Sequence, residues 1–212
     1  MPIQIHQQHT AFELLIWEVK ESIDFFLSAL ELNDDELALA QQKYTHSSAL
    51  LDWASSRYAL QTLFQQPMRA FQRNAKGKLF LPHQSDHLSI SHSGTYAGVV
   101  RATVPVGIDI QIPTPKLARI ATKYIDAARL EQLRAHRHYD DYLHIYWGIK
   151  EALFKAYGEG ALQYIEHLHI ESFDWQDEGR LIAKIEKPNF KASYQVVYQK
   201  TANYYLCIVT KL

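Results

Sequence analysis

A chain of 212 residues with 47% hydrophobic and 21% charged side chains can bury a real core, as one large domain or two small ones. A formal net charge of −1 argues against broad nucleic-acid binding by phosphate neutralisation, and a single cysteine excludes an internal disulfide framework. The N-terminus MPIQIHQQHTAF lacks the basic-then-apolar pattern of a signal peptide, and no apolar run approaches the roughly 20 residues of a membrane span, so the expected location is cytoplasmic.

In chain order, Phe12–Lys20 reads as a strand and Glu21–Leu32 as a helix. Asn33 followed by Glu36 is an N-cap signal that opens a second helix. Ser47–Phe64 is a third helix, ended before Pro67, and Arg73–Leu81 is a short strand or loop around Gly77. His87–Ser93 and Tyr96–Arg101 form a hairpin about Ser93-Gly94-Thr95. The strand Val104–Ile112 follows, closed by Pro113 and Pro115, which open a helix over Lys116–Tyr124. Helices at Asp126–His138 and Asp141–Tyr157 come next, with Gly158 and Gly160 stopping the second. The tail alternates as strands at His167–Phe173, Leu181–Lys187, Ala192–Tyr198 and Tyr204–Thr210, giving an α+β pattern overall. Cys207 sits in the last of these apolar runs and reads as core.

Three clusters could carry chemistry. In Val106–Gln111, strand alternation places Gly107, Asp109 and Gln111 on one face, so that two oxygen-bearing side chains stand together with open space beside Gly107. Taken alone, that pattern is better explained by a half-exposed strand whose polar face meets solvent. In Trp147–Lys155, apolar residues cover well over half the helix circumference, Glu151 and Lys155 share the remaining strip, and Lys150 falls inside the apolar arc. A buried ammonium needs a partner, so Lys150 either snorkels outward or meets an anion. Glu151 and Lys155 could also be an ordinary i,i+4 salt bridge. In Leu88–Gly94, neighbours in a strand face opposite ways, so Ser91 and His92 are poorly placed as a catalytic dyad. Hydroxyls, an imidazole and turn amides suit phosphate better, although His92 as an ordinary hydrogen-bonded histidine fits as well.

Taken in order, Ser89–His92, Gly107–Asp109 and Trp147–Lys155 resemble the motifs of the Sfp-type 4′-phosphopantetheinyl transferases. Upstream, Gly77-Lys78 resembles that family's Gly-Lys-Pro segment with Leu79 in place of proline, and Arg57 resembles its coenzyme A-binding arginine. The resemblance implies an α+β fold of two similar α/β subdomains, residues 1–103 and 104–212, related by pseudo-twofold symmetry. The active site would lie in the cleft between them, and the chain would act as a monomer.

It further implies that Arg57, Lys78, Ser91 and His92 bind coenzyme A. Asp109, Gln111 and Glu151 would ligate Mg²⁺, or Mn²⁺. Lys155 would contact the pyrophosphate, Lys150 would support the phosphate region, and Glu151 would be the base. Gln111 departs from the glutamate common in the family; an amide oxygen brings no charge, so the expected hold on a cation is weaker. The activity implied is transfer of 4′-phosphopantetheine from coenzyme A to a serine of an acyl or peptidyl carrier protein, releasing 3′,5′-ADP. The rival is a coenzyme A-binding regulatory module of the same fold that has lost transfer, for which Gln111 is the one supporting feature. Lys116, Arg119 and Lys123 share a helical face and are expected to dock an acidic carrier, although such a stripe is also what an ordinary solvated face looks like.

Overall fold

The computed structural model describes residues 3–212, and the chain divides into two compact units, Met1–Thr103 and Val104–Leu212. In the first, strands β1 (Ile3–Gln8), β2 (Glu13–Glu18), β5 (His87–Ser93) and β6 (Tyr96–Ala102) form an antiparallel sheet of order β1-β2-β6-β5. The helices are α1 (Ile23–Ala29), α2 (Asp34–Lys43) and α3 (Ser47–Phe64). Asn33 caps α2 with a complete capping box: its side chain accepts from the Glu36 amide, and the Glu36 carboxylate accepts from its own. α3 packs on the sheet, and Leu15, Trp17, Phe26, Leu60 and Val99 fill the space between them. A small hairpin, β3 (Gln72–Arg73) and β4 (Leu79–Phe80), turns at Gly77 with φ of +81°.

The second unit begins with β7 (Val106–Gln111), then α4 (Lys116–Ile120), α5 (Ala127–Arg134) and α6 (Tyr139–Tyr157). Four strands follow: β8 (Leu168–Ile170), β9 (Glu178–Lys187), β10 (Phe190–Lys200) and β11 (Tyr205–Lys211). They make a fully antiparallel sheet of order β7-β11-β10-β9-β8, so the last strand returns to lie beside the first. α6 lies across β7 and β11, and Ile149, Leu153, Ile185, Val196 and Cys207 are fully buried in that layer. Gly158 ends α6 in the left-handed region, and its amide bonds the Phe154 carbonyl.

Two glycines set how closely α6 approaches the sheet. A Cβ on Gly107 would lie 1.9 Å from the Ala152 carbonyl oxygen, and one on Gly148 would lie 2.7 Å from the Cys207 sulfur. The space beside Gly107 is therefore filled by α6, not left open for a ligand as the strand pattern suggested.

Several elements differ from the sequence expectation, among them the helix expected over Asp126–His138, which spans only Ala127–Arg134. β1 is an exposed, polar edge strand, too weakly alternating to stand out. The first helix is shorter, at Ile23–Ala29. The helix expected over Lys116–Tyr124 is a five-residue α-helix followed by a 3₁₀ turn at Ala121–Lys123, with Tyr124 fully buried and its hydroxyl on the Leu117 and Leu143 carbonyls. Drawing that ring under α6 bends the chain out of regular helix. No helix among the described residues is long and apolar enough to cross a membrane.

Candidate active site

β7 and α6 supply the chemistry of the second unit. Asp109, in the middle of β7, is buried at 6% exposure; Lys155, in the last turn of α6, reaches it. The Lys155 ammonium donates to Asp109 Oδ1 at 2.8 Å and to the Ile108 carbonyl at 2.9 Å. That reach depends on the close approach Gly107 allows.

One turn earlier on α6, half-buried Glu151 accepts a hydrogen bond at 2.6 Å from the hydroxyl of Tyr164. Burial raises the Glu151 pKa above its ordinary value; the Tyr164 bond opposes this, and the neighbouring Asp109 charge adds to it. The shift moves the group toward the range in which a carboxylate serves as a base near neutral pH.

Lys150 is buried at 5% exposure; it does not snorkel outward, and among the described residues it forms no ion pair. Its ammonium donates to the Tyr164 carbonyl at 2.5 Å, beside a cavity of about 270 Å³ that Asp126, Arg129 and His169 also line. Burial pulls its pKa down to about 8, opposed by the more distant charges of Asp126 and Glu166. Gln111, at the end of β7, turns its amide Nε2 onto the Ile112 carbonyl. Among the described residues no three or more His, Cys, Asp or Glu side chains gather as a metal site, and the expected donor set contains only two of those types.

In the first unit Arg57 rises from α3. Its guanidinium lies over the Trp53 ring at 5.8 Å and donates to Ser56 Oγ at 2.9 Å, while its Nε is buried with no hydrogen-bond partner among the described residues. Burial, with Arg73 nearby, brings its pKa down to about 10, so it stays charged at neutral pH. It lines a cavity of about 380 Å³ with Lys43, Arg69, Arg73 and the Trp53 and Tyr44 rings. His92, on β5, places Nδ1 3.6 Å from Asp52 of α3. Ser91 is buried at 4% exposure, and Lys78 follows Gly77 in the hairpin turn, where its amide donates to Asn74 Oδ1.

Residues 105–209, nearly the whole second unit, match the 4′-phosphopantetheinyl transferase superfamily. A 4′-phosphopantetheinyl transferase of Bacillus subtilis is 32% identical over 119 residues, covering 53% of this chain and 50% of that protein. The 4′-phosphopantetheinyl transferase Sfp of Bacillus subtilis strain 168 is 31% identical over 93 residues, 42% of each chain. It is this second unit that carries the likeness to the 4′-phosphopantetheinyl transferase superfamily.

The chain spans about half the length of the curated relatives it matches. The superfamily match contains Asp109, Gln111, Lys150, Glu151 and Lys155, and leaves Arg57, Lys78, Ser91 and His92 outside it. Within this superfamily domain, Tyr164 went unread in the sequence. It lies 13 residues beyond Glu151, past two chain-reversing glycines, and no periodicity links the two.

Proposed function

We propose that this chain transfers the 4′-phosphopantetheine group of coenzyme A to a serine of an acyl or peptidyl carrier protein, releasing 3′,5′-ADP. The observation that carries the reading is the pairing of strand and helix inside the superfamily domain. Asp109 on β7 and Glu151 on α6 are close enough for one charge to raise the other's pKa, with Lys155 bonded to Asp109. Two carboxylates so placed, with the Gln111 carbonyl nearby in sequence, are hard oxygen donors of the kind that suit Mg²⁺ or Mn²⁺. Asp109, Glu151 and Gln111 would hold the cation, whose chemistry is to offset the negative charge of the coenzyme A pyrophosphate.

In the reaction the serine oxygen attacks the phosphorus that bears pantetheine. A new P–O bond forms as the pyrophosphate P–O bond breaks, and 3′,5′-ADP leaves with the electron pair. Glu151, with its raised pKa, accepts the serine proton. Lys155, held on β7, offers an ammonium to the pyrophosphate. Arg57, Lys78, Ser91 and His92 of the first unit would hold the coenzyme A phosphates and nucleotide, and the buried Nε of Arg57, unpartnered among the described residues, is a donor in need of an acceptor. Lys150 would support the phosphate region. Functionally, residues 1–103 would serve coenzyme A binding and residues 104–212 metal binding and catalysis. Each unit places a long helix, α3 or α6, against a sheet whose last strand pairs with an earlier one that precedes the helices. The chain would work as a cytoplasmic monomer.

The test is coenzyme A- and Mg²⁺-dependent release of 3′,5′-ADP, followed by chromatography, with apo carrier protein and with a carrier whose serine is replaced by alanine. Release that needs both the serine and Glu151, lost in Glu151→Gln, is the expected result. Coenzyme A binding without release would favour the regulatory module and point to Gln111, the site's one uncharged donor.

A further inference from the structure

Resting on the transferase reading of Glu151, we propose that Tyr164 is the residue that positions that carboxylate, and that the buried Lys150 serves the site by fixing Tyr164. Four residues of α6, Trp147, Lys150, Glu151 and Phe154, stand at i, i+3, i+4 and i+7 and so form one stripe along the helix. Tyr164 lies across all four. Its ring centroid is 5.9 Å from that of Trp147 and 6.2 Å from that of Phe154, its carbonyl accepts from Lys150 at 2.5 Å, and its hydroxyl donates to Glu151 Oε1 at 2.6 Å. The chain reaches this place because Gly158 and Gly160, at φ of +72° and +70°, turn it back along the helix it has just left.

A glutamate on a helix has three rotatable bonds, and an unheld one spreads its oxygens over several places. A phenol donating to one oxygen selects a single rotamer. The phenol is itself held at the ring and at the backbone, so the selection does not drift with a mobile side chain. With Oε1 occupied by the hydroxyl, Oε2 is the oxygen left for a cation or for the serine proton. The arrangement also gives Lys150 a purpose. An ammonium sealed at 5% exposure is costly, and here it ties down the segment that carries the phenol.

The experiment compares wild type with Tyr164→Phe, which keeps the ring and removes only the hydroxyl. Near-UV circular dichroism and the melting temperature verify that both proteins are folded. Two readouts are taken: steady-state transfer to an apo carrier protein, and Mn²⁺ affinity by electron paramagnetic resonance without substrates. Loss of a partner that orients a metal-binding group costs about 10–100-fold in affinity or activity. The expected result is therefore a fall of about that size in kcat and a weaker Mn²⁺ site, with the coenzyme A KM within about twofold of wild type. Unchanged kcat with unchanged Mn²⁺ affinity would overturn the inference. If wild type itself transfers nothing, the transferase reading fails, and the Mn²⁺ comparison alone decides the role of Tyr164. Weaker binding in Tyr164→Phe then upholds it, and equal binding, or none in either protein, overturns it.

Discussion

A single methyl group at Gly107 would lie 1.9 Å from the backbone oxygen of Ala152, which cannot rotate out of the way. Gly107→Ala must therefore push α6 off β7. Overpacking of this kind costs about 1–3 kcal/mol and sometimes more. Chemical denaturation should show a loss at or above that range, and transfer should fall in the fraction that stays folded, because Lys155 would no longer span to Asp109. A stability within about 0.5 kcal/mol of wild type would show that the close approach is not needed. This residue also shows where sequence reading stops. The strand alternation placed Gly107 beside Asp109 correctly, but whether the space was open or filled depended on a helix some 40 residues away. Lys150 was anomalous on the helical wheel for a sound physical reason, the cost of a buried charge, yet its partner is a backbone carbonyl that no side-chain pattern reveals. Tyr164 left no signal at all.

At the scale of elements, α6 is fastened to the sheet at its start by Asp141. Burial alone would raise this carboxyl's pKa, but hydrogen bonds from Lys200, Tyr205 and His138 outweigh it and hold the pKa below the ordinary 3.8. A depressed carboxylate contributes stability that is fully present above its unfolded pKa and is lost as pH falls through the folded one. Asp141→Asn should thus cost about 1.5–3 kcal/mol near neutral pH, the range for hydrogen bonds to a charged group. The gap between the two proteins should close as pH drops below 3.8. A gap that stays constant down to acid unfolding would mean that the charge of Asp141 contributes nothing. Elements with strong local signals were legible from sequence: the boundaries of α3 stand at Ser47 and Phe64, and the Asn33–Glu36 capping box is fully formed. Those shaped by distant contacts were not. The polar edge strand β1 exists through pairing with β2, and the chain after Lys116 bends because Tyr124 is drawn beneath α6.

Across the whole molecule a net charge of −1 leaves association to local patches. Lys116, Arg119 and Lys123 remain exposed on the segment that follows β7, in spite of its change from α-helix to 3₁₀ turn. As a docking stripe for an acidic carrier, they predict that reversing all three charges raises the carrier KM about tenfold or more at low salt, an effect that shrinks as salt is added. Equal KM values at all salt concentrations would remove the stripe from the account. The central claim is that this chain modifies a carrier serine, and intact-mass spectrometry of an apo carrier protein after incubation with coenzyme A and Mg²⁺ tests it most directly. A gain of one phosphopantetheine group with wild type and none with Glu151→Gln is the expected result; a carrier of unchanged mass with wild type, across both acyl and peptidyl carriers, would contradict it.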